Sequence, residues 1–187
     1  MRLFIAREAM DAHLTRILPI LSSKTSFGTK FHRIWEATAH YASWYPHQWL
    51  YGSQLPKNVS LPAKLKPHFS YVERTAHRLA RNLFHGMMIY QQGLEKKQQF
   101  LTRLVNIGTD LFGMAVVCSR AASLYSKNPS DVGTLELADL FSRQARGRIE
   151  KQLPRLFVND DRFTYYVAQE TLKGKYRWLE DGIVEPA

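Results

Sequence analysis

Two rows of residues that repeat every seven positions constrain the fold of this chain more than any other feature. One row is mostly small and the other, three residues further along, is mostly bulky: Leu94, Leu101, Gly108, Ala115 and Ala122, then Leu104, Leu111, Cys118 and Tyr125. Small side chains let a second helix approach closely, and bulky ones fill the adjacent groove. We therefore expect a long helix over about residues 94–126, packed lengthwise in a bundle.

The flanking sequence has the same helical spacing. It predicts helices over about residues 2–18, 70–93, 131–153 and 159–172, with caps at Ser130 or Asp131 and at 159–161. In the helix over 131–153, we expect one set of side chains to face inward and a basic set to lie largely outward: Leu135, Ala138, Leu140, Phe141, Ala145 and Ile149, against Arg143, Arg146, Arg148 and Lys151. No alternation typical of strands occurs. The fold class is all-α, an antiparallel helical bundle with an aromatic-rich, proline-punctuated insertion.

Composition limits the partners of the chain. Its 187 residues are enough for a domain with a core, and 26 Lys and Arg against 16 Asp and Glu give a net charge of +10. This charge favours anionic partners such as phosphates, acidic lipids, nucleic acid or CoA esters. The longest apolar run is too short for a membrane span, and the N-terminal one is too short for a secretion signal. The single cysteine excludes an intrachain disulfide and fits a reducing compartment.

We predict three parts: an N-terminal part (1–23), a basic linker segment (24–69) and the bundle (70–187). The linker segment is rich in aromatic residues. Three of the four tryptophans lie there, and Glu36 is its only acidic residue. Tryptophan prefers the headgroup level of a membrane and lysine attracts anionic lipid, so this composition favours a peripheral membrane contact. Packing against the bundle or a partner protein explains it equally well. The predicted docking residues are Trp35, Trp44, Trp49, Lys57, Lys64 and Lys66.

Few residues are candidates for chemistry. The spacing of His32, Glu36 and His40 would place all three side chains on one helix face, within reach of a metal. No further ligand can be identified, so we favour the interpretation that they are polar residues on a partly solvent-exposed helix edge. His77 and His85 have the same spacing, but Arg81 lies between them, and its positive charge opposes metal binding. No nucleotide-binding, zinc-protease or nucleophile-elbow motif is present. We predict no catalytic and no metal-binding residue.

Two further residues and one basic run remain. Cys118 lies in the apolar seam and is expected to be inert, and Asp110 interrupts the same helix and is expected to pair with an arginine, Arg103 being one candidate. A basic run in the fourth helix either binds phosphate or forms a solvated face: Arg143, Arg146, Arg148, Lys151 and Arg155. Nothing resembles a nucleic-acid-binding module, so nucleic acid is not an expected partner.

Two stretches carry a resemblance to a known family. Residues 100–121, which include the letters DLFGMAVVCSRA, resemble the "DLYAM…V…SRA" region of the extra C-terminal domain of very-long-chain-type acyl-CoA dehydrogenases. Asn106 and Ile107 depart from that pattern. The first eight residues resemble the chain that follows the "EGT" motif of these enzymes. The resemblance covers about residues 70–182, and residues 1–23 would be the end of the catalytic domain.

The resemblance implies a function for the whole enzyme. It is FAD-dependent α,β-dehydrogenation of a long-chain acyl-CoA in fatty-acid β-oxidation, with electrons passed to an electron-transfer flavoprotein. Because the catalytic glutamate of the "EGT" motif is expected upstream of residue 1, this chain alone is expected to be inactive and to bind no FAD. It would serve packing against upstream catalytic domains, homodimerisation or docking at an anionic membrane, in the cytoplasm or a mitochondrion. The alternative is a freestanding basic helical adaptor that binds acidic lipid or a protein partner.

Overall fold

The computed structural model describes Glu8, residues 42–49 and residues 61–182, apart from the side chain of Gln92. The predicted helix over 2–18, the His32, Glu36 and His40 triplet, and the docking residues Trp35 and Lys57 lie outside the described residues. The chain divides into two compact units, residues 1–156 and 157–187. The three-part division at residues 23 and 69 stays a prediction.

Three long helices build the first unit. They are α1 (Lys66–Tyr90), α2 (Gln98–Lys127) and α3 (Gly133–Gln152), and residues 42–49 are also helical. The described residues contain no strand, which confirms the all-α class. Helix α1 begins four residues earlier than predicted, because Pro67 fits within its first turn, where a backbone N–H is not needed.

The junction between α1 and α2 differs from the prediction. Gln91 has a φ of 45°, and an α-helix cannot continue through a residue with a positive φ. A 3₁₀ helix, Gln91–Lys96, begins at this residue. Leu94 is buried within this 3₁₀ turn rather than in the long helix. The helix predicted from residue 94 therefore begins at Gln98.

Helix α2 is the centre of the core, since it packs against both α1 and α3. Both predicted rows contribute buried side chains to it, with Leu101 from one row and Leu104 and Leu111 from the other. Ile107 and Met114, which belong to neither row, are 0% exposed. The buried stripe is thus wider than the two rows, because α2 has a neighbour on each side.

By length and composition alone, α2 could cross a membrane. A core helix of a bundle meets the same criterion, and α2 buries nine of its residues among its neighbours. The core accounts for these nine residues, whereas Phe112 and Val116 on the same helix are 71% and 49% exposed.

Helix α3 turns most of the predicted side chains inward. Four of them are buried and Phe141 is partly buried: Leu135, Ala138, Ala145 and Ile149. Leu140 was predicted inward and is 54% exposed. Ala138 and Ser142 face the core. Leu140 is two residues from each of them, which is about 200° around the helix, so its side chain points away from the core. Ser142 takes the inward place and lies 3.3 Å from the thiol of Cys118.

The second unit is described from Phe157 to Gly182. It holds α4 (Asp161–Leu172) and a short 3₁₀ helix, Arg177–Leu179. The side-chain oxygen of Asn159 accepts a hydrogen bond from the N–H of Asp161 at 3.0 Å, which confirms the predicted start signal. Glu170 pairs with Lys173 at 2.8 Å and with Lys175 at 3.2 Å, so the chain after α4 folds back on the last turn of the helix.

Candidate docking site

The helical segment 42–49 lies on the face of α1 that points away from α2. The ring of Trp44 is 5.8 Å from that of Phe84, and the ring of Tyr45 is 5.7 Å from the same phenylalanine. Gly86 and Met87, which follow Phe84, are buried on the side of α2. Helix α1 is therefore covered on two faces, one by α2 and one by the segment.

Polar contacts fix the register of this segment. The hydroxyl of Tyr45 and Nε2 of His85 are hydrogen-bonded at 2.9 Å. His77 Nδ1–H donates to the side-chain oxygen of Gln48 at 2.7 Å, and the guanidinium of Arg81 donates to the backbone carbonyl of Gln48. The histidine pair, for which the sequence already disfavoured metal binding, thus contacts the segment through hydrogen bonds. No group of three metal-binding side chains occurs among the described residues.

Trp49 and Arg81 form the exposed end of this contact. The guanidinium carbon lies 4.0 Å from the centre of the indole ring, a cation–π distance, and Trp49 is 61% exposed. Partial burial lowers the pKa of Arg81, which nevertheless stays charged because its ordinary value is so high. A large exposed aromatic ring therefore lies directly beside a positive charge.

A row of side chains along α1 continues this surface. Arg74, Arg81 and Met88 are spaced by seven residues and share one face of the helix. Arg74 is exposed and Met88 is 57% exposed. We call Trp49, Arg74, Arg81 and Met88 the docking row.

The structure separates the predicted docking residues. Trp44 is half-buried on Phe84, whereas Trp49 is exposed. Lys64 and Lys66 are exposed at the start of α1. The docking residues predicted from the sequence all lie in the linker, and that prediction did not include Arg74, Arg81 or Met88. Their seven-residue spacing, on the side of α1 opposite its apolar stripe, was a signal that could have found them.

The basic run on α3 is largely engaged within the bundle. Arg143 pairs with Asp139 at 3.1 Å, Arg148 pairs with Asp110 at 2.7 Å, and the guanidinium of Arg146 lies 4.3 Å above the ring of Tyr71. Arg146 is partly buried and was predicted to lie outward. These intramolecular contacts weaken the case for a phosphate site on α3.

Asp110 and Cys118 have structural partners. The carboxylate of Asp110 accepts a bifurcated hydrogen bond from Nε–H and a second one from Nη2 of Arg148, on α3. The predicted pairing with an arginine is confirmed, and the partner is Arg148 rather than the candidate Arg103. Burial raises the pKa of the Cys118 thiol, which disfavours the thiolate and fits the prediction of an inert cysteine.

Asp139 joins α3 to α1. It accepts a hydrogen bond from Nε2–H of His68 at 2.7 Å, and His68 is only 4% exposed. Hydrogen bonds from Arg143 and then from His68 lower the pKa of the Asp139 carboxyl. Both donors therefore stabilise the carboxylate, and the contact with His68 links α3 to α1.

The described residues do not fit a flavin site. A flavin needs a cleft that takes a planar ring and donors for its phosphates. Where the described helices meet, the space is filled by apolar side chains such as Ile107, Met114 and Ile149, each 0% exposed. We assign no step of flavin chemistry to these residues.

Fold and composition together define a class of protein, a basic, all-α helical domain. Comparison with known proteins gives the family. The family model for the ACAD9/ACADV C-terminal domain matches residues 63–172. The chain therefore belongs to this family, the helical C-terminal domain of acyl-CoA dehydrogenases, which confirms the resemblance noted in the sequence.

Curated relatives agree with this assignment. The chain is 39% identical over 186 residues to the "Probable acyl-CoA dehydrogenase FadE10" of Mycobacterium bovis and to the protein of the same name in Mycobacterium tuberculosis. Each alignment covers 99% of this chain and 29% of the relative. No solved structure matches the chain significantly. Acyl-CoA dehydrogenases generally use FAD, and their C-terminal domains commonly mediate oligomerisation.

Proposed function

We propose that this chain is the docking domain of an FAD-dependent acyl-CoA dehydrogenase and that it holds the enzyme against an anionic membrane. The observation that carries this proposal is Trp49, an exposed indole fixed against Arg81 on the outer face of α1. Indole rings prefer the headgroup level, and each cation near an anionic surface adds about 1 kcal/mol of attraction. The domain would sit at the periphery of a membrane in the cytoplasm or a mitochondrion.

The whole enzyme would supply the chemistry. Catalytic domains upstream of this chain would bind FAD, dehydrogenate a long-chain acyl-CoA between its α and β carbons and pass the electrons to an electron-transfer flavoprotein. The enzyme would be a homodimer. The family assignment and the 29% coverage of the curated relatives support this division of labour. Flavin absorbance is accordingly expected of the whole enzyme and not of this chain.

Vesicle binding tests the membrane role. We expect the 187-residue chain to sediment with vesicles of phosphatidylglycerol and phosphatidylcholine, and not with phosphatidylcholine alone. Arg74→Gln removes one exposed cation, about 1 kcal/mol, and should lower vesicle affinity about fivefold. Trp49→Ala should also weaken binding. Trp44 is left intact, because its contact with Phe84 holds the segment 42–49 in place.

Trp178 provides a matched control. It is 64% exposed, close to the 61% of Trp49, but it belongs to the second unit, whereas the docking row belongs to the first. Trp178→Ala should leave vesicle binding unchanged. Equal binding of Trp49→Ala, Arg74→Gln and the unmodified chain, or no binding of the unmodified chain to anionic vesicles, would overturn the membrane role.

A further inference from the structure

Helix α1 carries three arginines on one side, Arg74, Arg78 and Arg81. Residues that are three or four positions apart are neighbours on a helix surface. With a rise of about 1.5 Å per residue, Arg78 lies about 6 Å from Arg74 and about 4.5 Å from Arg81 along the helix axis. The three long side chains are therefore within reach of one another. We call these three residues the arginine strip.

The positive charge of the strip lacks a carboxylate partner in the part of the chain that the structure describes. Arg74 and Arg78 are exposed, and neither forms an ion pair with a described residue. Arg81 donates to a backbone carbonyl, which is uncharged. On α3, in contrast, Arg143 and Arg148 each pair with an aspartate. An external anion would supply negative charge to the strip.

The charges of the strip also act on one another. Burial lowers the pKa of Arg81, and the like charge of Arg78 lowers it further. The segment 42–49, which packs against α1 beside Arg81, contains no acidic residue. Like charges that lie close together favour a bound anion, because attraction to the anion offsets their mutual repulsion.

The chemistry of arginine identifies the class of anion. A guanidinium presents its N–H donors in a planar fork that matches two phosphate oxygens, whereas a lysine ammonium is a point charge. A phosphomonoester carries about 1.5–2 negative charges at neutral pH and has three terminal acceptor oxygens. A phosphodiester has less charge and fewer terminal oxygens. Three neighbouring guanidiniums therefore match a phosphomonoester better than a phosphodiester.

The neighbours of the strip identify the source of the phosphate. Trp49 is 61% exposed beside Arg81, and Met88, 57% exposed, continues the same side of α1. In a membrane, such side chains enter the boundary between headgroups and acyl chains, where arginines at the same level reach the headgroup phosphates. A soluble phosphate ester would leave both apolar side chains in water. The surroundings of the strip therefore favour a lipid.

We propose that the arginine strip binds the phosphomonoester headgroup of a lipid such as phosphatidic acid, in preference to the phosphodiester headgroups of other anionic lipids. This inference rests on the membrane role in the proposed function and adds the class of headgroup to it. It also assigns Arg78, which lies outside the docking row, as a headgroup-binding residue.

Vesicles of matched surface charge test this preference. One set contains phosphatidic acid in phosphatidylcholine, and the other contains about twice as much phosphatidylglycerol, because phosphatidic acid carries up to about twice the charge. The measured quantity is the ratio of the two vesicle affinities at neutral pH. We expect the unmodified chain to bind the phosphatidic acid vesicles about tenfold more tightly, which corresponds to one additional hydrogen bond between charged groups.

Arg78→Lys separates the geometry of the guanidinium from its charge. Lysine keeps the positive charge but has no planar fork, so the affinity ratio should fall from about ten to about two. Arg120→Lys is the matched control, because Arg120 is an exposed arginine of α2 outside the strip. The control should keep the ratio of the unmodified chain. Both substitutions are at exposed positions, so circular dichroism should show an unchanged fold.

Three results would overturn the inference and leave the membrane role standing. The first is a ratio near one for the unmodified chain when it binds both kinds of vesicle. The second is an undiminished ratio for Arg78→Lys, which would remove the strip from the preference. The third is calorimetric binding of inorganic phosphate that Arg78→Lys abolishes, together with no preference between the vesicles, which would replace the lipid by a soluble phosphate.

A fourth result separates this inference from the proposed function. If the unmodified chain binds neither kind of anionic vesicle, the membrane role is refuted, and the headgroup preference is refuted with it.

Discussion

Replacement of Gly86 by alanine should destabilise the bundle, because the first turn of α2 lies directly against this glycine. A Cβ at position 86 would overlap atoms Cζ and Cε1 of the Phe100 ring. Phe100 is 2% exposed, and its ring meets that of Tyr90 edge-on at 5.3 Å. The ring cannot yield without displacing a neighbour in the core.

Two terms of opposite sign set the size of this effect. Overpacking of a close-packed core costs about 1–3 kcal/mol. Alanine in place of glycine inside a helix returns up to about 1 kcal/mol. With about 1 kcal/mol returned, the net loss for Gly86→Ala is about 0–2 kcal/mol, which lowers the melting temperature of a chain of this size by up to about 8 °C.

Gly147→Ala is the matched control. Gly147 is exposed on α3, and a Cβ there would meet nothing within 4 Å. This substitution should stabilise the chain by about 0.5–1 kcal/mol. Urea and thermal unfolding followed by far-ultraviolet circular dichroism would compare the two variants with the unmodified chain.

A stability gain for Gly86→Ala, in the same direction as Gly147→Ala, would refute the packing argument. The double variant sharpens this test. Phe100→Leu removes the ring atoms that a new Cβ would overlap, so Gly86→Ala should cost less in that background than alone. Additive costs would show that the ring is not the cause.

Two further predictions concern titratable groups in the bundle. In the folded state the pKa of Asp139 is lowered, chiefly by its hydrogen bond from Arg143. The Asp139 carboxylate therefore stabilises the fold fully above the unfolded-state pKa of about 3.9. This stabilisation is lost as the pH falls through the lower pKa of the folded state. Asp139→Asn should lower the free energy of unfolding in urea by about 1–3 kcal/mol at neutral pH. The difference between the two chains should shrink below about pH 4. A difference that stays constant with pH would contradict the role of the carboxylate. Burial raises the pKa of Cys118, so iodoacetamide should alkylate this thiol only as fast as the bundle opens, and a rate equal to that of free cysteine would exclude the buried thiol.

The helices were largely readable from the sequence. The predicted ends near 153 and 172 agree with Gln152 and Leu172, because local signals such as helical spacing and capping residues determine where a helix stops. The junction after Tyr90 was predicted at the wrong position. Gln91 has a positive φ, and glutamine is not a residue type from which this conformation can be predicted. Leu140 was misassigned because an apolar residue type was given more weight than its angular position on α3.

The candidate surface was readable only in part. The sequence predicted a basic, aromatic docking segment, and this role stays a prediction; in the structure, Trp49 is exposed. It did not reveal that Trp44 packs on Phe84 or that Arg81 supports Trp49. These contacts join residues about 30 to 40 positions apart, and spacing along one helix carries no information about them.

The sequence by itself determined the all-α class, the central helix and the family, because periodicity, caps and a distinctive run of residues are local properties of the chain. Only the tertiary structure decided which charges are engaged and which surfaces stay uncovered. Asp110 could have paired with any of several arginines, and it pairs with Arg148 because α2 and α3 meet antiparallel at that height. In the same way, only the tertiary structure shows that no residue of α4 is buried, although this helix is rich in apolar residues.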